Sequence, residues 1–240
     1  MSLLAIGAHP DDVELGCGGG LAAAGARGDD VVIADLTRGE LASAGTPEIR
    51  AREAAAAARV LGVARVNLGL PDGGLRREDD AQLRAVVELI RRVRPRLILA
   101  PADGDRHPDH CEAHHLVERA VYRAGLPSLA AAGEPHRPAM VLHYPGSRQL
   151  VDTPSVVVDI SRWWEQKLAA LDCYASQFVR GPGDPVTPIN APDFRPWLEA
   201  RATIDGERIG VRHGEALAAT RPLPLTDPLE ALGPRRPESG

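Results

Sequence analysis

The apolar run Leu3-Leu4-Ala5-Ile6-Gly7 passes without a break into Ala8-His9-Pro10-Asp11-Asp12-Val13-Glu14-Leu15-Gly16. A short continuous apolar run reads as a strand buried on both faces, as in a parallel sheet covered by helices. Polar side chains at the end of such a strand enter a desolvated place. A carboxylate or imidazole there costs several kcal/mol unless it is paired, hydrogen-bonded or coordinated. On its own the stretch is equally good turn chemistry. The balance shifts with Asp105-Arg106-His107-Pro108-Asp109-His110, where a second His-Pro-Asp unit follows a second apolar run, Leu97-Ile98-Leu99-Ala100.

The segments between and around these motifs alternate strand and helix. Strands are expected at residues 3–8, 30–36, 63–68, 96–100, 140–143 and 156–160. The glycines Gly18-Gly19-Gly20 loosen the start of a first helix expected at 21–27 and closed by Gly28. Thr46 and Pro47 mark the cap and first position of an Ala-rich helix ended by Gly62. Leu83, Val86, Val87, Ile90 and Val93 recur at helical spacing in 80–94 before Pro95, and further helices are expected at 109–124, 163–174 and 197–208. Between residues 37 and 45 lies a polar loop too long for a mere connector, expected near the site. At 240 residues and 44% hydrophobic content the chain suits one α/β domain, a Rossmann-like, doubly wound, mostly parallel sheet with helices on both faces. It is expected to span residues 1–219, with a Pro-rich, flexible tail at 220–240.

In the common doubly wound order, strands one and four are neighbours, and ligands bind beyond their carboxyl ends. That order brings the two His-Pro-Asp motifs together across about a hundred residues of sequence. His9, Asp12 and His110 then supply two nitrogens and a carboxylate, the three-ligand set of a catalytic zinc site with one position left open. Asp11 is placed to take a proton from an attacking water. His107, oriented by Asp109, can stabilise an oxyanion or protonate a leaving group. The arrangement suggests metal-assisted amide hydrolysis. The same crevice could serve a dinucleotide, with Asp35 on a ribose, but the glycine spacing lacks the second and third fingerprint positions.

These residues also carry a family resemblance. His9-Pro10-Asp11-Asp12 with Glu14-Leu15-Gly16, Asp35-Leu36-Thr37-Arg38-Gly39-Glu40, Gly45-Thr46-Pro47-Glu48-Ile49-Arg50, Asn67-Leu68-Gly69-Leu70-Pro71-Asp72 and His107-Pro108-Asp109-His110 resemble the LmbE-like (PIG-L) zinc deacetylases. The best match is to those of bacillithiol biosynthesis. The likeness continues through Pro135-His136-Arg137-Pro138 and Val156-Val157-Val158-Asp159-Ile160-Ser161 to Tyr174-Ala175-Ser176-Gln177-Phe178. It implies removal of acetyl from an N-acetylglucosaminyl conjugate, N-acetylglucosaminyl-malate in the bacillithiol pathway; other substrates left open are an inositol or chitooligosaccharide N-acetylglucosaminide and a thiol-conjugate amide. It further implies zinc, replaceable by another divalent transition metal, on His9, Asp12 and His110. Asp11 would be the base, His107 the oxyanion stabiliser with Asp109 behind it, and Arg50 a sugar contact. Family members tend to carry an aromatic, often Tyr, before a segment that here reads Thr203-Ile204-Asp205-Gly206-Glu207-Arg208-Ile209-Gly210-Val211, and no equivalent is assigned.

Composition narrows the rest. The net charge is −5 and the basic residues are scattered, so there is no footprint for nucleic acid. Lys167 is the single lysine, which removes lysine-based catalysis. The three cysteines, Cys17, Cys111 and Cys173, have no paired spacing for a disulfide framework. No signal peptide or membrane-crossing run is seen, so a cytoplasmic protein acting on a small amino-sugar conjugate is expected. Trp163 and Trp164, with the habit of the resembled family, point to a homo-oligomer, hexameric in the fullest case. His114, His115, His136 and His143 are expected to be helix-surface, supporting or polar-fill groups, and Cys111 to point away from His110. Two readings from other classes are a nucleotide-binding regulatory domain and a metal-binding protein without turnover.

Overall fold

A computed structural model describes residues 2–181 and 183–224. Five strands, β1 (Ser2–Gly7), β2 (Asp30–Thr37), β3 (Ala64–Leu70), β4 (Leu97–Pro101) and β5 (Met140–Tyr144), form a parallel sheet in the order β3-β2-β1-β4-β5. β1 pairs with β2 from Ser2↔Asp30 to Gly7↔Asp35 and with β4 at Leu3↔Leu97 through Ala5↔Leu99. The chain order therefore reverses at the β1/β4 boundary, where the expected topology puts its crevice.

Alternation along the strands divides the core in two. Leu4, Ile6, Ala34, Leu36, Ile98 and Ala100 pack on one face against α3 (Asp80–Val93) and α4 (Pro108–Ala124). Ala5, Ile33, Leu99 and Leu142 pack on the other against α1 (Asp12–Ala26) and α2 (Pro47–Leu61). α2 and α3 stop where their ends are written: Thr46 Oγ1 accepts from the Ile49 amide, Asp79 accepts from Ala81 and Gln82, and Gly62 takes the left-handed conformation at φ 71°.

The first helix differs from expectation. It begins at Asp12, nine residues earlier than position 21, and breaks at Cys17, whose φ is −146°. The break is held from three directions. Lys167 Nζ and Arg201 Nη2 donate to the Leu15 carbonyl at 3.0 and 2.7 Å, while the amides of Gly19 and Gly20 donate to Glu215 at 2.9 and 2.7 Å. Backbone groups released by the break are thus bonded by buried side chains from residues far along the chain. The glycines serve close approach: a Cβ on Gly16 would lie 2.1 Å from the Tyr144 ring, and one on Gly19 2.8 Å from Ile160.

Beyond β5 come β6 (Val156–Asp159), α5 (Trp164–Asp172), α6 (Ala175–Phe178), α7 (Phe194–Glu207) and β7 (Gly214–Leu217). β6 and β7 form an antiparallel pair, and β7 was not foreseen because its four residues include Gly and Glu. The expected helix 163–174 ends instead at Asp172 and resumes as α6. Trp164, one of the two tryptophans behind the expected oligomer, is buried in the chain's own core with Leu15 and Ile160, stacked on His213 at 4.5 Å between ring centroids. Residues 225–240, most of the expected tail, lie outside the described residues. Among those described, no helix is long and apolar enough to cross a membrane.

Candidate active site

The two His-Pro-Asp motifs meet at the carboxyl ends of β1 and β4. The imidazoles of His9, His107 and His110 have ring centroids 4.8 to 5.4 Å apart, and one nitrogen of each lies within 4.8 Å of the others. Asp12 sits between two of them, with Oδ1 3.2 Å from His110 Nε2 and Oδ2 3.5 Å from His9 Nδ1. Donor atoms around a tetrahedral ion with bonds of about 2.0–2.1 Å are themselves about 3.3 Å apart. The two-nitrogen, one-carboxylate composition of His9, Asp12 and His110, with each imidazole 3.2 to 3.5 Å from one of the two Asp12 oxygens, suits a divalent transition metal. The far nitrogen of each ring is also supported: His9 Nε2 lies 3.0 Å from Asp72 and His110 Nδ1 2.9 Å from Asp105. Carboxylates in that position fix the tautomer and orientation of ligating histidines.

Electrostatics separates the adjacent aspartates. Burial raises the pKa of both, but the charge and hydrogen bond of His110 hold Asp12 well below the usual carboxylate range. Asp11 is pushed up to about 7 by burial, with Arg50 pulling down and the Asp12 charge pushing up. For His110, burial opposes protonation, yet Asp12 and Asp105 carry its pKa up to about 10. Asp11 precedes α1 with φ 110°, a left-handed conformation uncommon for a residue other than glycine. Arg50 Nη2 lies 3.1 Å from Asp11 Oδ2 and also donates to the Pro10 carbonyl. The Arg50 guanidinium occupies the space a side chain on Gly39 would need.

His107 caps α4, its Nδ1 accepting the Asp109 amide proton at 3.3 Å. An accepting Nδ1 leaves the proton on Nε2, so the neutral ring can donate. Burial and the neighbouring imidazoles His9 and His110 lower its pKa, which favours that neutral form. The Asp109 carboxylate does not hydrogen-bond the His107 ring. It accepts the Gly73 amide at 2.7 Å and lies 3.6 Å from His9 Nε2.

These groups floor a cavity of about 330 Å³ walled by Leu41–Ala44, Arg50, Asp72, Arg106, Ser176, Gln177 and residues 187–190. The loop after β2 is near the site, as its length suggested, and is tied to it by the Leu41 amide donating to Asp72 at 2.8 Å. Asp72 read as turn chemistry in Pro71-Asp72-Gly73-Gly74, and nothing in residues 187–190 signalled a wall. Asp105 stood within the quoted motif without an assigned part. Tyrosine does not line the cavity: Tyr144 and Tyr174 are buried on the Ile6 carbonyl and Glu14, and Tyr122 lies elsewhere. Cys111 does turn from the cavity, its thiol on the Asp105 carbonyl at 3.1 Å. His136 and His143 meet backbone carbonyls of Pro95 and Pro101.

The crevice is unsuited to a pyrophosphate. Asp11, Asp12 and Glu14 put carboxylates at the start of α1, where phosphate needs free amides and no opposing charge. Asp35, the candidate ribose contact, is buried in a two-pronged pair with Arg65 at 2.6 and 2.8 Å.

An open parallel α/β sheet with imidazoles and carboxylates clustered at its switch point defines a metal-competent class of site. Comparison with known proteins is specific about the family. The model for PIG-L, GlcNAc-PI de-N-acetylase, matches residues 4–121. Diacetylchitobiose deacetylase of Thermococcus kodakarensis is 32% identical over 232 residues, covering 90% of this chain and 81% of its own. 4-Oxalmesaconate hydratase of Pseudomonas putida is 28% identical over 200 residues, covering 73% and 74%. A conserved protein of Thermus thermophilus, of known crystal structure, superposes with a TM-score of 0.84 at 41% identity, covering 95% and 98%. The chain belongs to the PIG-L (LmbE-like) deacetylase family.

Proposed function

We propose that the chain removes the N-acetyl group from an N-acetylglucosaminyl conjugate, with N-acetylglucosaminyl-malate as the first-choice substrate. The observation that carries this reading is the placement of Asp12 between His9 and His110, one carboxylate oxygen toward each, beside an Asp11 whose pKa is raised to about 7. A divalent ion held by those three residues, zinc by donor type, would polarise the amide carbonyl and acidify water. Asp11, with a pKa near 7, can accept the proton of the attacking water and return it to the departing amine. His107 supplies a neutral Nε2–H donor for the developing oxyanion, rigidly presented because its ring is pinned by the first turn of α4. Arg50 lowers the cost of ionising Asp11 and, at the cavity wall, is our candidate for the sugar contact.

The malate aglycone rests on the sequence motifs, and the Thermococcus deacetylase makes diacetylchitobiose its competitor. The test is amine release by metal-loaded protein from N-acetylglucosaminyl-malate, diacetylchitobiose and N-acetylglucosaminyl-inositol. The expected result is turnover of the panel with the highest kcat/KM for the malate conjugate. A different favourite would replace the aglycone and keep the reaction. Silence toward all three would overturn the deacetylase reading in favour of the second one, addition of water to an unsaturated carboxylate, which the hydratase relative supports and an absorbance assay would detect.

A further inference from the structure

A second group of metal-competent side chains lies outside the cavity, one turn further along α4. One nitrogen of each of His114 and His115 and a carboxylate oxygen of Asp103 lie within 4.8 Å of one another, and none of these residues lines the cavity. His115 Nε2 already stands 3.5 Å from Asp103 Oδ1. The His114 ring is buried and fixed: its Nδ1 meets the Pro101 carbonyl at 3.0 Å. A carbonyl only accepts, so Nδ1 carries the proton and Nε2 keeps the lone pair a metal requires. A backbone carbonyl on the far nitrogen is also the usual outer support of a ligating imidazole.

His143 completes that support. It meets the same Pro101 carbonyl at 3.1 Å, turns its other nitrogen to Glu118 at 2.9 Å, and packs on the His114 ring at 4.5 Å between centroids. Both its nitrogens are engaged, so it braces His114 and leaves ligation to the other three. Asp103 and His115 are partly open to solvent, with side-chain exposures of 53% and 32%. Rotation of either can close the remaining distance to the roughly 3.3 Å between donors around a tetrahedral ion. Two imidazoles and one carboxylate select a transition metal over calcium or magnesium.

We infer that Asp103, His114 and His115 form a second site for a divalent transition-metal ion, distinct from the cavity. The ion would also tie the loop between β4 and α4 to that helix, since Asp103 stands in the loop and His114 and His115 on the helix.

The test is equilibrium dialysis of chelator-stripped full-length protein against Co²⁺, with stoichiometry from elemental analysis and the visible Co²⁺ spectrum as an independent readout. Wild type should take up two equivalents per chain. His115→Ala and Asp103→Asn should each take up one, losing one spectral component while keeping amine-release activity. Asp12→Asn should also take up one, of the other spectral type. Two equivalents retained by both His115→Ala and Asp103→Asn would overturn the second site, as would a single equivalent in wild type that Asp12→Asn abolishes. Failure of the cavity site is distinguishable, because there Asp12→Asn would leave the count unchanged.

Discussion

The tripeptide His-Pro-Asp occurs at the ends of two neighbouring parallel strands, and the two copies fold differently. At β1, His9, Pro10 and Asp11 all precede the helix, which begins at Asp12 with Asp11 left-handed at φ 110°. At β4, His107 is itself the cap, Pro108 the first helical residue, and Asp109 lies within the first turn. The following residue explains the offset. Asp12 accepts the His9 amide at 2.8 Å and closes the turn before the helix, whereas at β4 the His107 amide goes back to Asp105 at 2.9 Å and His107 Nδ1 takes the Asp109 amide. Copies of one tripeptide thus yield different placements: His9, His107 and Asp11 all line the cavity, while Asp109 is buried on Gly73.

The sharpest way to break this comparison is to delete each histidine. His9→Ala should lose metal and, with it, on the order of a thousand-fold or more in turnover, since a bound ion contributes several kcal/mol to the transition state. Asp12→Asn should likewise lower metal content. Elemental analysis beside steady-state kinetics checks both.

Asp11→Asn should keep the metal and lose about a hundred- to ten-thousand-fold in kcat, the usual worth of a positioned base. Asparagine tolerates the left-handed backbone, so its melting curve should remain cooperative. If Asp11→Asn strips the metal while Asp12→Asn retains both metal and activity, the division of labour between the adjacent aspartates is reversed. His107→Ala should resemble Asp11→Asn, with metal kept and kcat down by about a hundred- to a thousand-fold.

Asp109→Asn should give the smallest effect, about ten- to a hundred-fold. The amide oxygen still accepts from Gly73, and only the charge near His9 is lost. A loss as large as that of Asp11→Asn would show that the two aspartates are closer in role than their positions suggest.

Much of the sheet and its covering helices was legible. The runs at Leu4–Ile6 and Ile98–Ala100 carry no polar residue, the ends of α2 are written in Thr46 and Gly62, and the stop of α3 in Pro95. The kinked α1 was not legible, because its three glycines weaken a helix locally. They are retained for the approach of Tyr144 and Ile160, and for amides that reach Glu215. β7 lacked a periodic signal because its conformation comes from β6, distant in sequence, and the cavity wall at 187–190 is a short turn closed on itself by Thr187 and Asn190.

The sequence by itself determined the strand and helix order and the chemical inventory of the site, since burial period, caps and residue types act over short spans. Only the tertiary structure decided which nitrogen of each histidine is braced, by Asp72 for His9 and Asp105 for His110, and which of two adjacent, buried aspartates meets the His110 charge and which keeps the raised pKa. Tautomer and pKa depend on atoms within a few ångströms, and those neighbours come from separate loops that only the folded sheet brings to one edge.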